Sequence, residues 1–196
     1  SEPVVQLASS LAVEYPRGMP LALTRDGSRV VYREDVLPLR LSSVATDGNT
    51  APIELFAGAA VTYFELSPDE THVVFATGGA SSGLWQAPID GSAAAVELHA
   101  LPDEHEVRGL RFTQNQQRVV YLAGPLGGPH ELWSQTFDGF GSPQRLNAPL
   151  VPGGSVAEFE LTPERTRVVY RADQDVDDVQ ELFLAPAWDP TTPLFI

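Results

Sequence analysis

The stretch Phe159-Glu160-Leu161-Thr162-Pro163-Glu164-Arg165-Thr166-Arg167-Val168-Val169-Tyr170 decides the fold of this chain. Its apolar alternation, its Thr-Pro turn and its run of valines predict a β-strand, a tight turn and a second strand. The segment from Phe64 to Phe75 repeats the pattern closely, and the segments from Leu21 to Tyr32 and from Leu110 to Tyr121 repeat it less closely. An internal repeat of this kind determines the architecture before any single residue is interpreted.

The turn and the second strand of each repeat have clear chemical signals. Pro68 and Pro163 stand where the first central position of a type I turn needs a fixed φ, and Ser67 and Thr162 stand where a hydroxyl can bond the turn backbone. The second strands are runs of consecutive apolar residues, which predicts burial on both faces. They are Val30 to Tyr32, Val73 to Phe75, Val119 to Tyr121 and Val168 to Tyr170.

A third and a fourth strand follow in every repeat, joined by a hairpin turn. Glycine accepts positive φ and aspartate tolerates it, so Asp-Gly marks this turn at Asp47-Gly48, Asp90-Gly91 and Asp138-Gly139, with Asp189-Pro190 in the last repeat. The predicted third strands are Leu39 to Val44, Gly83 to Ala87, Glu131 to Gln135 and Glu181 to Ala185. The predicted fourth strands are Pro52 to Phe56, Val96 to His99, Pro143 to Leu146 and Pro193 to Ile196.

The repeat length identifies the fold class. Four strands in about 45 residues are typical of one blade of a β-propeller, in which stacked sheets cover one another's apolar faces. The sequence therefore predicts an all-β chain forming a single β-propeller domain over residues 1–196, built from four four-stranded antiparallel blades. The predicted blades cover about 21–56, 64–99, 110–147 and 159–196, and residues 1–20 form a lead-in with a strand from Pro3 to Leu7.

These motifs resemble the WD-like repeat of the TolB propeller family over essentially the whole chain. The shared pattern is an apolar strand, Ser/Thr-Pro-Asp/Glu, Val-Val-Tyr/Phe, Glu-Leu-Trp/Phe, Asp-Gly and a final Arg-Leu strand. The resemblance is specific for the blade but not for a function, because such repeats occur in periplasmic TolB, in propeller domains of prolyl oligopeptidase-type and tricorn-type peptidases, and in some pectate-fragment lyases. It implies a periplasmic or extracellular location. The chain departs from the family in having four blades rather than six to eight.

Composition excludes several classes of function. The net charge is −14 and every one of the 12 basic residues is arginine, so nucleic acid is not an expected partner. The charge has two interpretations, namely solubility or attraction of cations and basic partners. The chain has no cysteine, which removes disulfides, thiolate metal sites and cysteine nucleophiles. No apolar run is long enough for a membrane span and no signal peptide is visible, while the start at Ser1 rather than Met predicts a processed or excised amino terminus.

The strongest acidic cluster lies in the loop before the third strand of blade four. Asp173, Asp175, Asp177 and Asp178, with Glu181 nearby, offer the hard oxygen ligands that Ca²⁺ prefers. The spacing is not that of an EF-hand, because Asp178 stands at the sixth position and Leu184 at the twelfth. A solvated loop is the alternative interpretation.

Other candidate chemistry has structural explanations. The histidines His72, His99, His105 and His130 fall at unrelated blade positions, so a shared metal site, such as the manganese site that the resemblance to the lyases implies, is not expected. No Gly-x-Ser-x-Gly motif is present, and Ser67, Asp26, Asp69, Asp90 and Asp138 occupy turn positions. Trp85, Trp133 and Phe183 recur at one blade position and are expected in the core between blades, whereas Trp188 breaks the pattern and is expected to be exposed.

The sequence favours a non-catalytic binding or scaffold propeller with a protein or peptide partner. Its ligand is expected at the axial mouth or at the rim, where the variable loops lie, because function is grafted on such loops. These loops are Arg33 to Pro38, Gly78 to Ser82, Leu122 to Pro129 and Ala172 to Asp178. The first alternative is the propeller portion of a larger enzyme such as an oligopeptidase. The second is a lyase or hydrolase in its own right, with His130 as the residue to test.

The four blades leave ring closure open. A half ring would expose apolar faces of blades one and four, including Val31 and Val169, and such patches rarely stay bare. The chain then closes tightly with four blades, forms an eight-bladed ring with a second copy, or is completed by a missing segment. The sequence favours a homodimer of two-fold symmetry that completes a larger propeller ring.

Overall fold

The computed structural model describes residues 4, 6–8, 21–34, 39–113 and 117–188. Its strands form four antiparallel sheets, each with its strands in chain order. Blade one contains β1 (Leu21–Leu23), β2 (Arg29–Glu34), β3 (Arg40–Ala45) and β4 (Ile53–Ala57). Blade two contains β5 (Ala60–Leu66), β6 (His72–Gly78), β7 (Gly83–Pro88) and β8 (Val96–Ala100). Blade three contains β9 (His105–Phe112), β10 (Arg118–Pro125), β11 (Glu131–Thr136) and β12 (Gln144–Arg145). Blade four contains β13 (Val156–Leu161), β14 (Arg167–Ala172) and β15 (Glu181–Pro186).

This arrangement confirms the all-β prediction and its four-strand repeat. The predicted fourth strand of blade four, Pro193 to Ile196, and the Asp189-Pro190 turn lie outside the described residues. In the lead-in strand predicted from Pro3 to Leu7, Pro3 and Val5 also lie outside them, and Val4, Gln6 and Leu7 are not part of a strand. No helix long and apolar enough to cross a membrane occurs in the described ranges.

A hydroxyl group closes the first hairpin of every blade. Ser67 Oγ donates to the carbonyl of His72 at 3.1 Å and accepts a hydrogen bond from the His72 backbone N–H at 3.0 Å. The same pair of bonds joins Thr24 to Arg29, Thr113 to Arg118 and Thr162 to Arg167. The hydroxyl thus gives the backbone N–H a partner and adds a second hydrogen bond to a carbonyl that already accepts the backbone N–H of the same Ser or Thr, which explains why Ser or Thr recurs there.

The Asp-Gly turns adopt the backbone conformation that the sequence predicts. Gly48, Gly91 and Gly139 have φ values of 71°, 70° and 75°. This left-handed region is the one that glycine enters without steric cost, so the prediction of the three hairpin turns is confirmed.

Three apolar clusters hold neighbouring blades together. Blades one and two meet around Val31, Leu41, Val73 and Phe75. Blades two and three meet around Val74, Leu84, Leu110 and Tyr121, and blades three and four meet around Val120, Leu132, Val168 and Tyr170. None of these three clusters joins the described residues of blade one to those of blade four.

The outward faces of the two terminal blades carry exposed apolar side chains. On blade four these are Leu182 and Leu184, which are 75% and 56% exposed. On blade one they are Leu21 and Leu23, while Tyr32 and Val44 on that face are buried. The expected exposure of Val31 is wrong, because its side chain points to the opposite face and is buried against blade two.

Candidate functional site

Charged side chains from three blades meet on their first strands. Arg111 on β9 donates through Nη2 to Glu160 Oε1 on β13 at 3.3 Å, and its Nη1 lies 4.0 Å from Glu65 Oε2 on β5. The three residues occupy one repeat position, between the two apolar residues that precede the turn hydroxyl. The repeat therefore places an acid, a base and an acid side by side, and we call Glu65, Arg111 and Glu160 the inner wall.

The environment of Glu65 disfavours its charged form. Desolvation raises the pKa of Glu65 to about 6, and the charge of Glu160 acts in the same direction. The guanidinium groups of Arg111 and Arg165 lower it, but they do not offset the desolvation. The inner wall consequently holds Glu65, whose ionisation is disfavoured, near the positive charge of Arg111.

A cavity of about 530 Å³ opens between the outer parts of blades two and three. His99 of β8 forms one side, Trp133 and Glu131 of β11 form the other, and Leu101, Leu150 and Val151 add apolar side chains. Pro125 and Pro129, from the rim loop expected between Leu122 and Pro129, also line it. We call this space the wedge cavity, and its size is in the range of sites for small molecules.

Polar contacts fix the walls of the wedge cavity. His99 Nδ1 lies 2.6 Å from the Tyr121 hydroxyl, and the two rings meet edge to face. Burial lowers the pKa of His99 and raises the pKa of the Tyr121 phenol, so both groups are held in their neutral forms. Glu131 Oε1 accepts a hydrogen bond from Arg145 Nη1 at 2.7 Å.

Of the remaining three histidines, His130 and His72 have structural contacts. His130 is only 2% exposed, with Nδ1 at 2.9 Å from the carbonyl of Gly128 and Nε2 at 3.4 Å from Glu106 Oε1. His72 begins β6 and its ring contacts Phe137 edge to face. His105, by contrast, lines the wedge cavity together with His99, although no motif in the sequence groups the two.

Tryptophans divide between the core and the cavity. Trp85 packs against Phe56 in the core between blades one and two, as predicted. Trp133 packs against the cluster between blades two and three but is only half-buried, because it also lines the wedge cavity. The expectation that Trp188 is exposed is wrong, since it is half-buried against the cluster between blades three and four.

Three of the four predicted calcium ligands lie together. Asp173, Asp177 and Asp178 each offer one carboxylate oxygen within 4.8 Å of the others, and within the described ranges Asp175 and Glu181 do not belong to such a group. Asp173 is buried and accepts a hydrogen bond from the Ser155 backbone N–H at 2.6 Å, while Asp177 and Asp178 are exposed. This geometry is compatible with both interpretations of the loop.

Calcium binding at this loop stays a prediction, and thermal unfolding tests it. If Asp173, Asp177 and Asp178 hold Ca²⁺, the melting temperature should rise by several degrees in millimolar Ca²⁺, because a ligand that binds only the folded chain stabilises it. Asp177→Asn should remove the rise, whereas Asp47→Asn, in an exposed hairpin turn of blade one, should retain it. An unchanged melting temperature in the original chain leaves the solvated-loop interpretation.

Comparison with known proteins identifies the architecture. The sequence matches no family model and no curated protein. Similar solved structures include TolB from Acinetobacter baumannii, at 12% identity and a TM-score of 0.54 over 86% of this chain. Oligopeptidase B from Leishmania major matches at 11% identity and a TM-score of 0.60 over 88%, and an oligogalacturonate lyase in complex with manganese matches at 12% and 0.51 over 85%.

The chain has the β-propeller fold. At these identities the likeness concerns the fold alone, and it includes both TolB and enzymes. The chain spans 40% of the TolB structure, 24% of the oligopeptidase and 64% of the lyase. It therefore matches only part of the length of each of those longer proteins.

Proposed function

We propose that this chain is a non-catalytic, TolB-like propeller that binds a protein or peptide and acts as a scaffold. The inner wall carries the proposal. Its three charged residues share one position of the first strand, and Ala22 occupies that position in blade one. The residue at this position changes from each blade to the next, whereas the positions before and after it are always apolar. Variable charged side chains held on a repeated, rigid sheet are a common basis of recognition surfaces. A periplasmic or extracellular location belongs to the same proposal.

Site-specific crosslinking tests the inner wall as the binding surface. Glu160, whose side chain is 73% exposed, is replaced by the photoreactive residue p-benzoylphenylalanine, and the chain is irradiated in an extract of its source organism. We expect one adduct of defined mass from this position. The matched control carries the same residue at Asp90, an exposed turn at the outer edge of blade two. Adducts formed equally from both positions, or none from position 160, would contradict the proposal.

The propeller portion of a larger enzyme is the second candidate. The observation that favours it is the match to oligopeptidase B, of which this chain spans 24% at a TM-score of 0.60. The reading frame on either side of Ser1 and Ile196 separates the two functions. A region encoding an α/β-hydrolase downstream would replace the binding scaffold as the conclusion.

We further propose that a second copy of the chain completes the ring. Leu182 of blade four is the repeat equivalent of Leu41, Leu84 and Leu132, each of which is fully buried against the next blade. Blade four therefore presents the side chain that meets a next blade, and in the described residues it is 75% exposed. Blade one of a second copy offers Leu21 and Leu23, whose equivalents pack against the preceding blade, so two chains would close an eight-bladed ring.

A further inference from the structure

The wedge cavity opens beside a group of three rings that repeats a ring group between the preceding pair of blades. Between blades one and two, Phe56 lies 4.9 Å from Phe75 and 5.2 Å from Trp85, measured between ring centroids. Between blades two and three the repeat equivalents of these residues are His99, Tyr121 and Trp133. These three rings also stay in contact, with the centroid of His99 at 5.9 Å from that of Tyr121 and 5.5 Å from that of Trp133, but two of them have acquired polar atoms and a cavity opens beside them.

Trp133 also lacks the hydrogen-bond acceptor that its equivalent Trp85 has within the same blade. Trp85 Nε1 donates to Thr77 Oγ1 at 3.2 Å. Ala123 replaces that threonine in blade three, and in the part of the chain that the structure describes no residue accepts a hydrogen bond from Trp133 Nε1. Because Ala123 and Trp133 both line the wedge cavity, the substitution gives the cavity an indole donor and the volume that the threonine would occupy.

The charges around the wedge cavity favour a cation. Glu131 is the one formally charged side chain among the described residues that line it, and Arg145 Nη1, at 2.7 Å from Glu131 Oε1, offsets part of its charge. Asp103 lies in the turn between the lining residues Pro102 and His105, and Asp177 Oδ1 is so close to the lining Gly153 that an added Cβ would come within 2.7 Å of it. The net charge of −14 adds to the same field.

We propose that the wedge cavity binds a small organic cation with an apolar body, of the alkylammonium or quaternary ammonium class. The cation lies against the ring of Trp133, where cation–π attraction holds it, and Glu131 supplies the opposite charge. Leu101, Leu150 and Val151 contact the apolar body. This site is separate from the inner wall, so its failure would leave the proposed scaffold function unchanged.

Choline and its neutral isostere 3,3-dimethylbutan-1-ol form the decisive probe pair. We expect choline to bind at least about tenfold more tightly in calorimetric titration, because the two molecules differ mainly in charge. Choline should also shift the indole N–H resonance of Trp133, while that of Trp85, which is bonded to Thr77, stays in place. A capped lysine peptide tests whether the natural cation is a lysine side chain of another protein. Tighter binding of this peptide than of choline would show that it is.

Two variants connect the binding to named side chains. Glu131→Gln should weaken choline binding about fivefold, whereas Glu54→Gln, which removes the carboxylate of the exposed Arg40–Glu54 pair in blade one, should leave it unchanged. Ala123→Thr restores the threonine of blade two and should abolish binding, with a urea unfolding midpoint at or above that of the original chain. This midpoint separates a filled cavity from a misfolded chain.

Three outcomes would overturn the inference. Equal affinity for choline and the alcohol would show an apolar pocket without preference for charge. Equal losses in Glu131→Gln and Glu54→Gln would show attraction by the whole surface rather than by the wedge cavity. Absence of binding by the original chain at about 10 mM choline would remove the site.

Discussion

Gly124→Ala should unfold blade three at a much lower urea concentration than the original chain requires. A Cβ at this position would lie 2.1 Å from the backbone carbonyl oxygen of Pro129 and 2.9 Å from the Cα of His130. Both are backbone atoms of the hairpin loop that joins β10 to β11, so a side-chain rotation cannot relieve the overlap. We expect a loss of about 3 kcal/mol or more in the free energy of unfolding.

Gly127→Ala is the matched control for this substitution. Gly127 lies in the same loop with a φ of 73°, and a Cβ there would meet no atom within 4 Å. The cost should come from backbone conformation alone, at about 1 kcal/mol. Similar unfolding midpoints for the two variants would show that the approach of Gly124 to Pro129 is not a constraint on the fold.

Leu182→Glu should convert a dimer into a folded monomer. If two chains complete one ring, Leu182 becomes buried against blade one of the partner, and a carboxylate there would be desolvated without a partner. Light scattering should give twice the chain mass of 21.2 kDa for the original chain and the single mass for the variant. Because Leu182 is 75% exposed within one chain, the variant should retain its fold.

Leu126→Glu is the corresponding control, since Leu126 is 66% exposed in a loop turn of blade three and lies on no terminal face. It should remain a dimer. An original chain that scatters as a compact monomer and unfolds cooperatively would reject the dimer, as would dissociation caused equally by both substitutions.

The blades themselves could be predicted from the sequence because their determinants are local. A turn hydroxyl such as that of Ser67 acts within one hairpin, and Val74 and Val120, predicted to be fully buried, have no exposed surface. The same prediction for Val169 is wrong, because its side chain lies on the outward face of blade four and is only half-buried. Burial there depends on whether another sheet packs against that face, and the repeat pattern does not contain this information.

Strand boundaries are less predictable, and the bulges explain why. Sequence patterns place the start of the first strands of blades two to four at Phe64, Leu110 and Phe159, whereas the strands begin at Ala60, His105 and Val156. In each case the pairing of the first with the second strand shifts register, for example between Val61 and Tyr63. A bulge interrupts the two-residue alternation of apolar and polar side chains on which strand prediction depends. The part of the strand before the bulge therefore cannot be recognised from the sequence pattern.

The candidate sites depend on how blades stack. Glu65, Arg111 and Glu160 share a repeat position, but their proximity requires three neighbouring first strands to converge. The wedge cavity is harder still to predict, because it opens beside His99, Tyr121 and Trp133, whose rings stay in contact like their equivalents between blades one and two. The replacement of Thr77 by Ala123 between equivalent positions is the sequence signal that indicates it.

The carboxyl group of Glu65 makes the folded chain take up a proton in mildly acidic solution. Its pKa of about 6 lies above the ordinary 4.5, so between these values the folded chain binds more protons than the unfolded chain. Ionised Glu65 therefore opposes folding above about pH 6, by an amount that solvent screening reduces, and the opposition disappears below pH 4.5. Asp26 affects stability in the opposite direction, because hydrogen bonds from Thr24 and Ser28 lower its pKa from 3.8 to about 2. Its ionised form stabilises the fold fully above pH 3.8, and this stabilisation is lost as the pH falls from 3.8 through the folded-state pKa of about 2. Near pH 4.5 the destabilisation by ionised Glu65 is relieved, while the stabilisation by ionised Asp26 is intact.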